Sequence, residues 1–334
     1  MQRCRVMTMK VMTIKKTGDD DYFIRLLSYF QSQFKEEIFD MMPIRNNVFF
    51  IKTAENKYII KGYKSYNRLK LQEAFTATLK KEGFHQTYEY LHPEVHEPLH
   101  FEQMHFGCLE YIPSHKTHFS FHTHKNRQEG IELLSHFHQV TSKVEARYRT
   151  LIPKGNLLEK WRQRANLFVS NLPFIRYFVS ESYITEVLEW ADWSLQKMTD
   201  KQLSAGERLV VLHGDVAHHN FLRASNGSLY LIDFDLISIG PESFDYLQYA
   251  NRILPYLDWS FDRLAHFSKY EELRKDEVFL AALAYPADIF REWNRLVREK
   301  SYTNHEKYKQ VMDLTIGQFH QRKKFFLELK KRMK

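Results

Sequence analysis

The 334-residue chain is 43% hydrophobic and 15% aromatic, with 26 Phe and 19 Tyr, far from the low-hydrophobicity compositions that leave chains disordered. Its length suits two ordinary domains or one large two-lobed unit, with ample material for a core. Lys and Arg outnumber Asp and Glu by 49 to 41, for a net charge of +8; much of the excess sits in the terminal "QRKKFFLELKKRMK", which reads as a solvated helix face able to attract a polyanion, and no interleaving of basic and aromatic residues points to nucleic acid.

The two cysteines, Cys4 and Cys108, form no CxxC pair, so a reducing cytosol is the expected setting rather than a disulfide framework or a zinc ribbon. The basic N-terminus lacks the apolar stretch of about 7–15 residues that a signal peptide requires. No run approaches the ~20 apolar residues of a membrane span. Met9 and Met12 are alternative starts to Met1.

In chain order, "DDDYFIRLLSYFQSQFKEEIF" predicts a capped helix from Asp19 to about Phe39. After Pro43, "NNVFFIKT" and "KYIIKGY" predict a hairpin. "YNRLKLQEAFTATLKKEGF" predicts a helix with Gly83 as its C-cap, and "HFGCLEYI" a further strand at 105–112. Beyond Pro113, "NRQEGIELLSHFHQVTSKV" and "ITEVLEWADWSLQKM" are amphipathic at helical spacing. Strands return at "VVLHGD" and "LYLIDFD", and the chain from about Ser243 reads as helical.

The chemistry concentrates in "VLHGDVAHHNFL", residues 211–222, and in the dozen residues after it. Asn226-Gly227 predicts a hairpin turn, so the chain leaves Asn220, turns, and returns along "LYLIDFD", bringing Asp233 beside Asp215 and Asn220. Two carboxylates and an amide make an oxygen-rich site of the kind a hard cation such as Mg²⁺ prefers. Phosphoryl transfer needs such a set, because one carboxylate must orient the attacking hydroxyl while the others hold the cation that bridges the nucleotide phosphates.

"HGD", the Asn five residues after Asp215, the NG turn and "LIDFD", in that order, resemble the aminoglycoside phosphotransferase and choline kinase family of the protein kinase-like superfamily. The resemblance implies an α+β, bilobal protein kinase-like fold: a small antiparallel-sheet N-lobe over residues 1–112 and a larger, mainly helical C-lobe over 113–334. It implies ATP and Mg²⁺ as cofactors, Asp215 as catalytic base, Asn220 and Asp233 as metal ligands, and His213 as a support of the loop. Asp245 would brace that loop from a helix. Asp235, Arg252, Asp258 and Trp259 would lie near the acceptor.

Upstream, Lys61 at the end of "KYIIKGY" matches the strand lysine that holds nucleotide phosphates. Glu73 is its candidate partner, but the stripe Leu71, Phe75, Leu79 sets Glu73 nearly opposite and Gln72 closer, which leaves the partner open. "HFGCLEYIP" resembles the hinge, where backbone from Glu110 to Ile112 would meet adenine. The chain departs from the family in having no glycine between Met42 and Lys61, so a loop over the phosphates must use Arg45, Asn46 and Asn47; Asn tolerates left-handed backbone better than most residues. Ala217 stands where many relatives have His, and His218 and His219 follow it. His138 reads as core packing.

Over roughly residues 20–330 the chain is also similar to the spore-coat-associated kinase-like proteins of endospore-forming bacilli, the CotS and YutH group. "PIRNNVFFIKTAENKYIIKGY", "HGDVAHHNFL" and "LIDFDLISIGPESFDYLQYANRILPYLDW" carry that similarity. It implies synthesis in the mother-cell cytoplasm, deposition in the spore coat, a small-molecule or coat-component acceptor, and other coat proteins as partners.

Three rival readings stand beside this one. A kinase-like coat scaffold of weak or no activity would rely on the basic C-terminal helix and aromatic surface. A zinc site would draw on His115, His118, His122 and His124, which lack an HExxH spacing or a partnering Cys. A protein kinase would need a Lys two residues after the "HGD" and an activation segment between Asp233 and Asp245; neither is present.

Overall fold

The computed structural model describes residues 19–200 and 208–333; the expectations for Cys4, Met9 and Met12 lie outside them. The chain divides into two compact units, the first ending at Thr78 and resuming over Tyr88–Ile112, the second made of Leu79–Thr87 and the chain from Pro113 onward.

The first unit runs α1 (Asp19–Gln33), β1 (Ile38–Arg45), β2 (Val48–Thr53), β3 (Lys57–Tyr63), α2 (Tyr66–Lys81), β4 (Tyr90–Leu91), β5 (His100–Phe101) and β6 (Met104–Glu110). Its sheet has the order β1-β2-β3-β6-β4, with β5 also on β6, and every pairing is antiparallel. Leu26, Phe30 and Phe34 at the end of α1 bury against Ile51, Ile60 and Phe106 of the sheet.

The helix expected to reach Phe39 ends at Gln33 instead, and Ile38 opens β1. Ile38, Phe39, Met41 and Met42 fit a helical or an extended period equally well. Pairing with β2, Met41 opposite Ile51 and Pro43 opposite Phe49, satisfies the extended backbone and settles it. Pro43 is tolerated because β1 is an edge strand with no second neighbour asking for its N–H.

Gly83 ends α2 as its sequence requires. At φ +99° it lets Phe84 N–H donate to Leu79 O at 2.8 Å and its own N–H to Lys80 O at 3.1 Å, the paired bonds that absorb the last carbonyls of a helix. Leu79 and Phe84 are both fully buried.

The second unit continues through α3 (His124–Tyr148), α4 (Leu157–Ser170), α5 (Leu172–Ile175), α6 (Glu181–Asp200), β7 (Leu209–Leu212), β8 (Phe221–Arg223), β9 (Leu229–Leu231) and β10 (Ser238–Pro241). It closes with α7 (Ser243–Ile253), α8 (Phe261–Ala265), α9 (Ser268–Leu273), α10 (Glu277–Leu283), α11 (Ala287–Arg298), α12 (His305–Met312) and α13 (Phe319–Arg332). The strands form two separate antiparallel ribbons, β7 with β10 and β8 with β9. In the β8–β9 turn, Ala224 N–H donates to Ser228 O and Gly227 sits at φ +87°. The fold is therefore α+β, a small antiparallel sheet in one unit and mostly helices in the other. Among the described residues no helix is long and apolar enough to cross a membrane.

Helix α3 approaches α7 at Gly130, where an added Cβ would overlap the Tyr249 hydroxyl; that hydroxyl donates to Arg127 O at 2.9 Å. Gly130→Ala should lower stability by about 1–3 kcal/mol through overpacking. In urea unfolding, the double variant Gly130→Ala/Tyr249→Phe should lose less than the sum of the two single losses, because the second change removes the atom in conflict.

Candidate active site

The loop joining β7 to β8 is built on one buried carboxylate. Asp245, in the first turn of α7, accepts His213 N–H at 2.7 Å on Oδ2 and Gly214 N–H at 3.0 Å on Oδ1. His138 Nε2, from α3, donates to Oδ2 at 2.9 Å. Asp245 and His138 are both fully buried. Burial by itself would raise the Asp245 pKa; the hydrogen bond and charge of His138, together with the backbone donors, outweigh it and hold the carboxyl below its usual range. Gly214 sits at φ +78°, and a Cβ there would overlap Leu236 O, so only glycine fits the turn.

His213 locks the next step. Its buried ring donates from Nε2 to Ile232 O at 3.0 Å and accepts Asp215 N–H on Nδ1 at 3.3 Å. That assigns a neutral imidazole protonated on Nε2, and burial pushes its pKa below the ordinary value in agreement.

Asp215, one-third exposed, is followed by a 3₁₀ turn over His218–Asn220. Asn220 Nδ2 donates to Asp215 O at 2.8 Å and lies 3.4 Å from Asp215 Oδ2. With its amide nitrogen so used, Asn220 Oδ1 is left buried and without a hydrogen-bond partner among the described residues. Ile232 N–H donates to Asn220 O at 2.9 Å, so the strand returning from the Gly227 turn delivers Asp233 next to Asn220. Asp233 itself is left-handed, at φ 72°. His213, Asp215, Asn220 and Asp233 are thus assembled by hydrogen bonds within one short stretch of chain. Arg252, on the last turn of α7, brings Nη2 to 3.6 Å from Asp215 Oδ1.

In the first unit, Lys61 is buried on β3 opposite Val48 and Gly107, with Nζ 5.5 Å from the Tyr63 ring centre. Asn46 and Asn47 form the two-residue β1–β2 turn, Asn47 at φ 58°. Gly62 N–H donates to Asn47 O at 2.8 Å, folding this turn back onto the strand that carries Lys61. The buried face of α2 is Leu69, Gln72, Phe75, Thr76 and Leu79, not the stripe through Leu71. Gln72 lies within that face, and Glu73, one turn on from Leu69, is half-buried at its edge. It accepts Lys70 Nζ at 2.7 Å and lies close enough to Cys108 on β6 to add to the rise of that thiol, which burial chiefly pushes up to about 12. Glu110 ends β6 opposite Tyr58, its N–H bonded to Glu89 O at 2.9 Å, with Ile112 two residues further along.

Other expectations need correction. His218 and His219 share a 3₁₀ turn with Asn220. Trp259 is buried, its Nε1 donating to Gln318 at 3.1 Å and its ring covered by the Arg322 guanidinium at 3.9 Å, while Asp258 pairs with Arg263 at the surface. Of the residues expected near the acceptor, Arg252 is the one paired with Asp215 among the described residues. The four histidines weighed for zinc are not grouped, and three of them go to separate neighbours: His115 to Thr117, His122 to Tyr256 and His124 to Phe267. Among the described residues no three His, Cys, Asp or Glu side chains are grouped to hold a metal. A cavity of about 460 Å³ lined by Glu145, Arg149, Lys154, Asn156 and Phe244 contains none of the site residues.

Residues 44–277 match the model of the phosphotransferase enzyme family. The chain belongs to that family. No curated protein sequence matches it. Among solved structures it is similar to an aminoglycoside phosphotransferase from Alicyclobacillus acidocaldarius, with TM-score 0.67 and 15% identity over 90% of this chain and 94% of that one. It is also similar to a spectinomycin phosphotransferase in complex with ADP and spectinomycin, with TM-score 0.59 and 13% identity over 92% and 96% of the two chains. An amicoumacin kinase in complex with AMP-PNP, Ca²⁺ and Ami gives TM-score 0.59 and 13% identity over 93% and 96%. At these identities the likeness is one of fold, and the fold is that of the kinase-like phosphotransferases.

Asp245→Ala should cost about 3–5 kcal/mol at neutral pH, since it leaves three donors, His138 Nε2 and the N–H groups of His213 and Gly214, without their acceptor, and urea unfolding measures it. Stability of the wild type should fall in two pH windows. The unfolded chain takes up a proton at His213 below its ordinary 6.5 while the folded chain does not, so loss begins there. Asp245, depressed from 3.8, contributes stability above that value and loses it as pH falls through its lower folded value. His136 and His218 are shifted downward as well, chiefly by burial, so His213→Gln should flatten the upper window only in part.

Proposed function

We propose that the chain transfers the γ-phosphoryl group of ATP to a hydroxyl, with Asp215 as the group that orients the acceptor and takes its proton. The acceptor O–H bond breaks toward the Asp215 carboxylate, the new P–O bond forms, and the bond to the β-phosphate oxygen breaks to release ADP. His213 supports the loop in its Nε2-protonated form and Asp245 fixes the backbone at His213 and Gly214, so the carboxylate is presented without reorganisation at the moment of reaction.

The observation that carries this reading is Asn220 Oδ1, a buried amide oxygen with no hydrogen-bond partner among the described residues, adjacent in the backbone ladder to Asp233. An orphaned buried acceptor is costly unless something occupies it, and an oxygen of this kind with a neighbouring carboxylate suits Mg²⁺. Asn220 and Asp233 would hold the cation, which would supply neutralisation of the charge developing in phosphoryl transfer. The nucleotide and Ca²⁺ in the similar spectinomycin phosphotransferase and amicoumacin kinase complexes support a nucleotide and a divalent ion here. In the first unit we assign the phosphates to Lys61 and the Asn46-Asn47 turn, with Glu73 as the candidate partner of Lys61, and adenine to the backbone of Glu110 to Ile112.

The resemblance of "HGDVAHHNFL" and its neighbours to coat-associated kinases supports action in the spore coat on a coat component or a small molecule. The rival coat scaffold leans on the basic C-terminal helix. In α13, however, Arg322 pairs with Asp288, Lys323 with Glu186 and Arg332 with Glu328 at 2.8 Å, so much of that charge is consumed in packing.

Thermal unfolding with and without Mg²⁺-ATP tests the reading. At 100 times its dissociation constant the nucleotide should stabilise the wild type by about 2.7 kcal/mol, and Asp233→Ala should abolish the Mg²⁺-dependent part. Asp215→Asn should retain the shift and lose turnover by about 10²–10⁴-fold. Absence of any shift in the wild type would move the function to the scaffold.

A further inference from the structure

The cavity of about 460 Å³ in the second unit is far larger than the voids a close-packed interior leaves; one of roughly 150 Å³ already holds a benzene-sized guest. Its apolar walls come from four elements: Leu157 and Leu158 at the start of α4, Leu209 of β7, Ile239 and Pro241 of β10, and Phe244 of α7. Leu157, Ile239, Pro241 and Phe244 are buried. Arg149, Lys154 and Asn156 also line the space and are exposed, so it reaches solvent on its polar side. An apolar body with a few placed polar groups is the composition of a ligand pocket.

Charge on the polar side is unbalanced. Glu145 lines the cavity as well, and Arg149 Nε and Nη2 donate to its two oxygens at 2.8 and 2.7 Å, so these two cancel as a bidentate pair. Lys154 is left over: among the described residues it has no carboxylate at ion-pair distance. Its backbone is clamped on both sides. Ile239 N–H donates to Pro153 O and Gly155 N–H donates to Ile239 O, both at 2.8 Å, which docks residues 153–155 beside β10 and fixes the base of the lysine. The first turn of α4 opens on the same cavity. Asn156 Oδ1 accepts Glu159 N–H at 3.0 Å, while the N–H groups of Leu157 and Leu158 precede any carbonyl of their own helix, so their partial positive charge adds to that of Lys154.

We propose that this cavity binds a carboxylic acid with an apolar body, the body against Leu157, Leu209 and Phe244 and the carboxylate at Lys154 and the first turn of α4. The site is separate from Asp215 and stands whether or not the phosphotransferase reading does. Burial of the body supplies affinity; the unpaired cation discriminates against a neutral or cationic ligand of the same shape. The walls are shared with the supports of the β7–β8 loop: β7 runs from Leu209 to Leu212, directly before His213, and Phe244 directly precedes Asp245. An occupant therefore braces the ribbon and the helix that anchor that loop.

Isothermal titration of the full chain with octanoate, octanol, octylamine and acetate tests this. Octanoate should bind about tenfold more tightly than octanol, the worth of one charge-assisted hydrogen bond. Octylamine should bind more weakly than octanol, and acetate, which lacks the body, should not bind at millimolar concentration. Lys154→Gln should bring octanoate to the affinity of octanol and leave octanol unchanged, and Lys154→Arg should restore the preference. Leu158→Trp, which grows a ring at the cavity wall, should weaken octanoate and octanol alike by about tenfold, with the urea midpoint reporting whether it folds; if it does not, the two exposed Lys154 variants decide. Asp215→Asn should bind octanoate as the wild type does. Octanol binding as tightly as octanoate, a preference that survives Lys154→Gln, a folded Leu158→Trp with unchanged affinities, or no octanoate binding at millimolar concentration overturns the proposal. Loss of octanoate binding in Asp215→Asn also overturns it, because the acid would then be an acceptor at the catalytic loop.

Discussion

The Asp245 carboxylate is the constraint on which the site depends. It is a full negative charge with no exposure, made tolerable by three donors arriving from three places: the His138 ring on α3 and the backbone N–H groups of His213 and Gly214. Each donor would be an unsatisfied buried group without it. The arrangement is therefore mutual, and it fixes the start of the β7–β8 loop to two helices at once. The tautomer of His213, the position of the Asp215 backbone and the turn to Asn220 all inherit that anchor.

Charge in the second unit is sorted by the same logic of packing. The basic C-terminal helix looks from composition like a free polycation, but Arg322 is buried over Trp259 against Asp288, and Lys323 reaches Glu186. The net charge of +8 says nothing about which of these cations are neutralised at home.

Features carried by short, contiguous chain are legible in the sequence. Gly83 as a helix stop, the Asn226-Gly227 turn, and the return of Asp233 toward Asn220 all depend on backbone preferences within a dozen or so residues, and the structure has them. Features that depend on a partner from elsewhere are not. Helix α1 is shorter than its periodicity predicts, because the pairing of β1 with β2 is invisible in the run "EEIFDMM". Periodicity places Gln72 near the apolar stripe of α2, and Gln72 is buried with Phe75 and Leu79 of that stripe; the buried Thr76 widens the face toward Glu73, and hydrophobicity alone cannot nominate a Thr as inward. His138 reads as an apolar filler; its bond to Asp245, 107 residues away, gives it a polar task.

What the sequence by itself determined is the local chemistry: the family, the antiparallel and helical portions, and the stretch from His213 to Asp233 whose spacing brings a carboxylate, an amide and a second carboxylate together. Those features arise from the steric preferences of glycine and asparagine and from periodicity, which act between near neighbours. Only the tertiary structure decided that Asp245 and His138 form a buried pair, that Trp259 packs against Gln318 and Arg322, and that Arg252 comes to Asp215. Such contacts join residues tens to more than a hundred positions apart, and desolvation and Coulomb energy are set by the protein around a charge rather than by its neighbours in the chain.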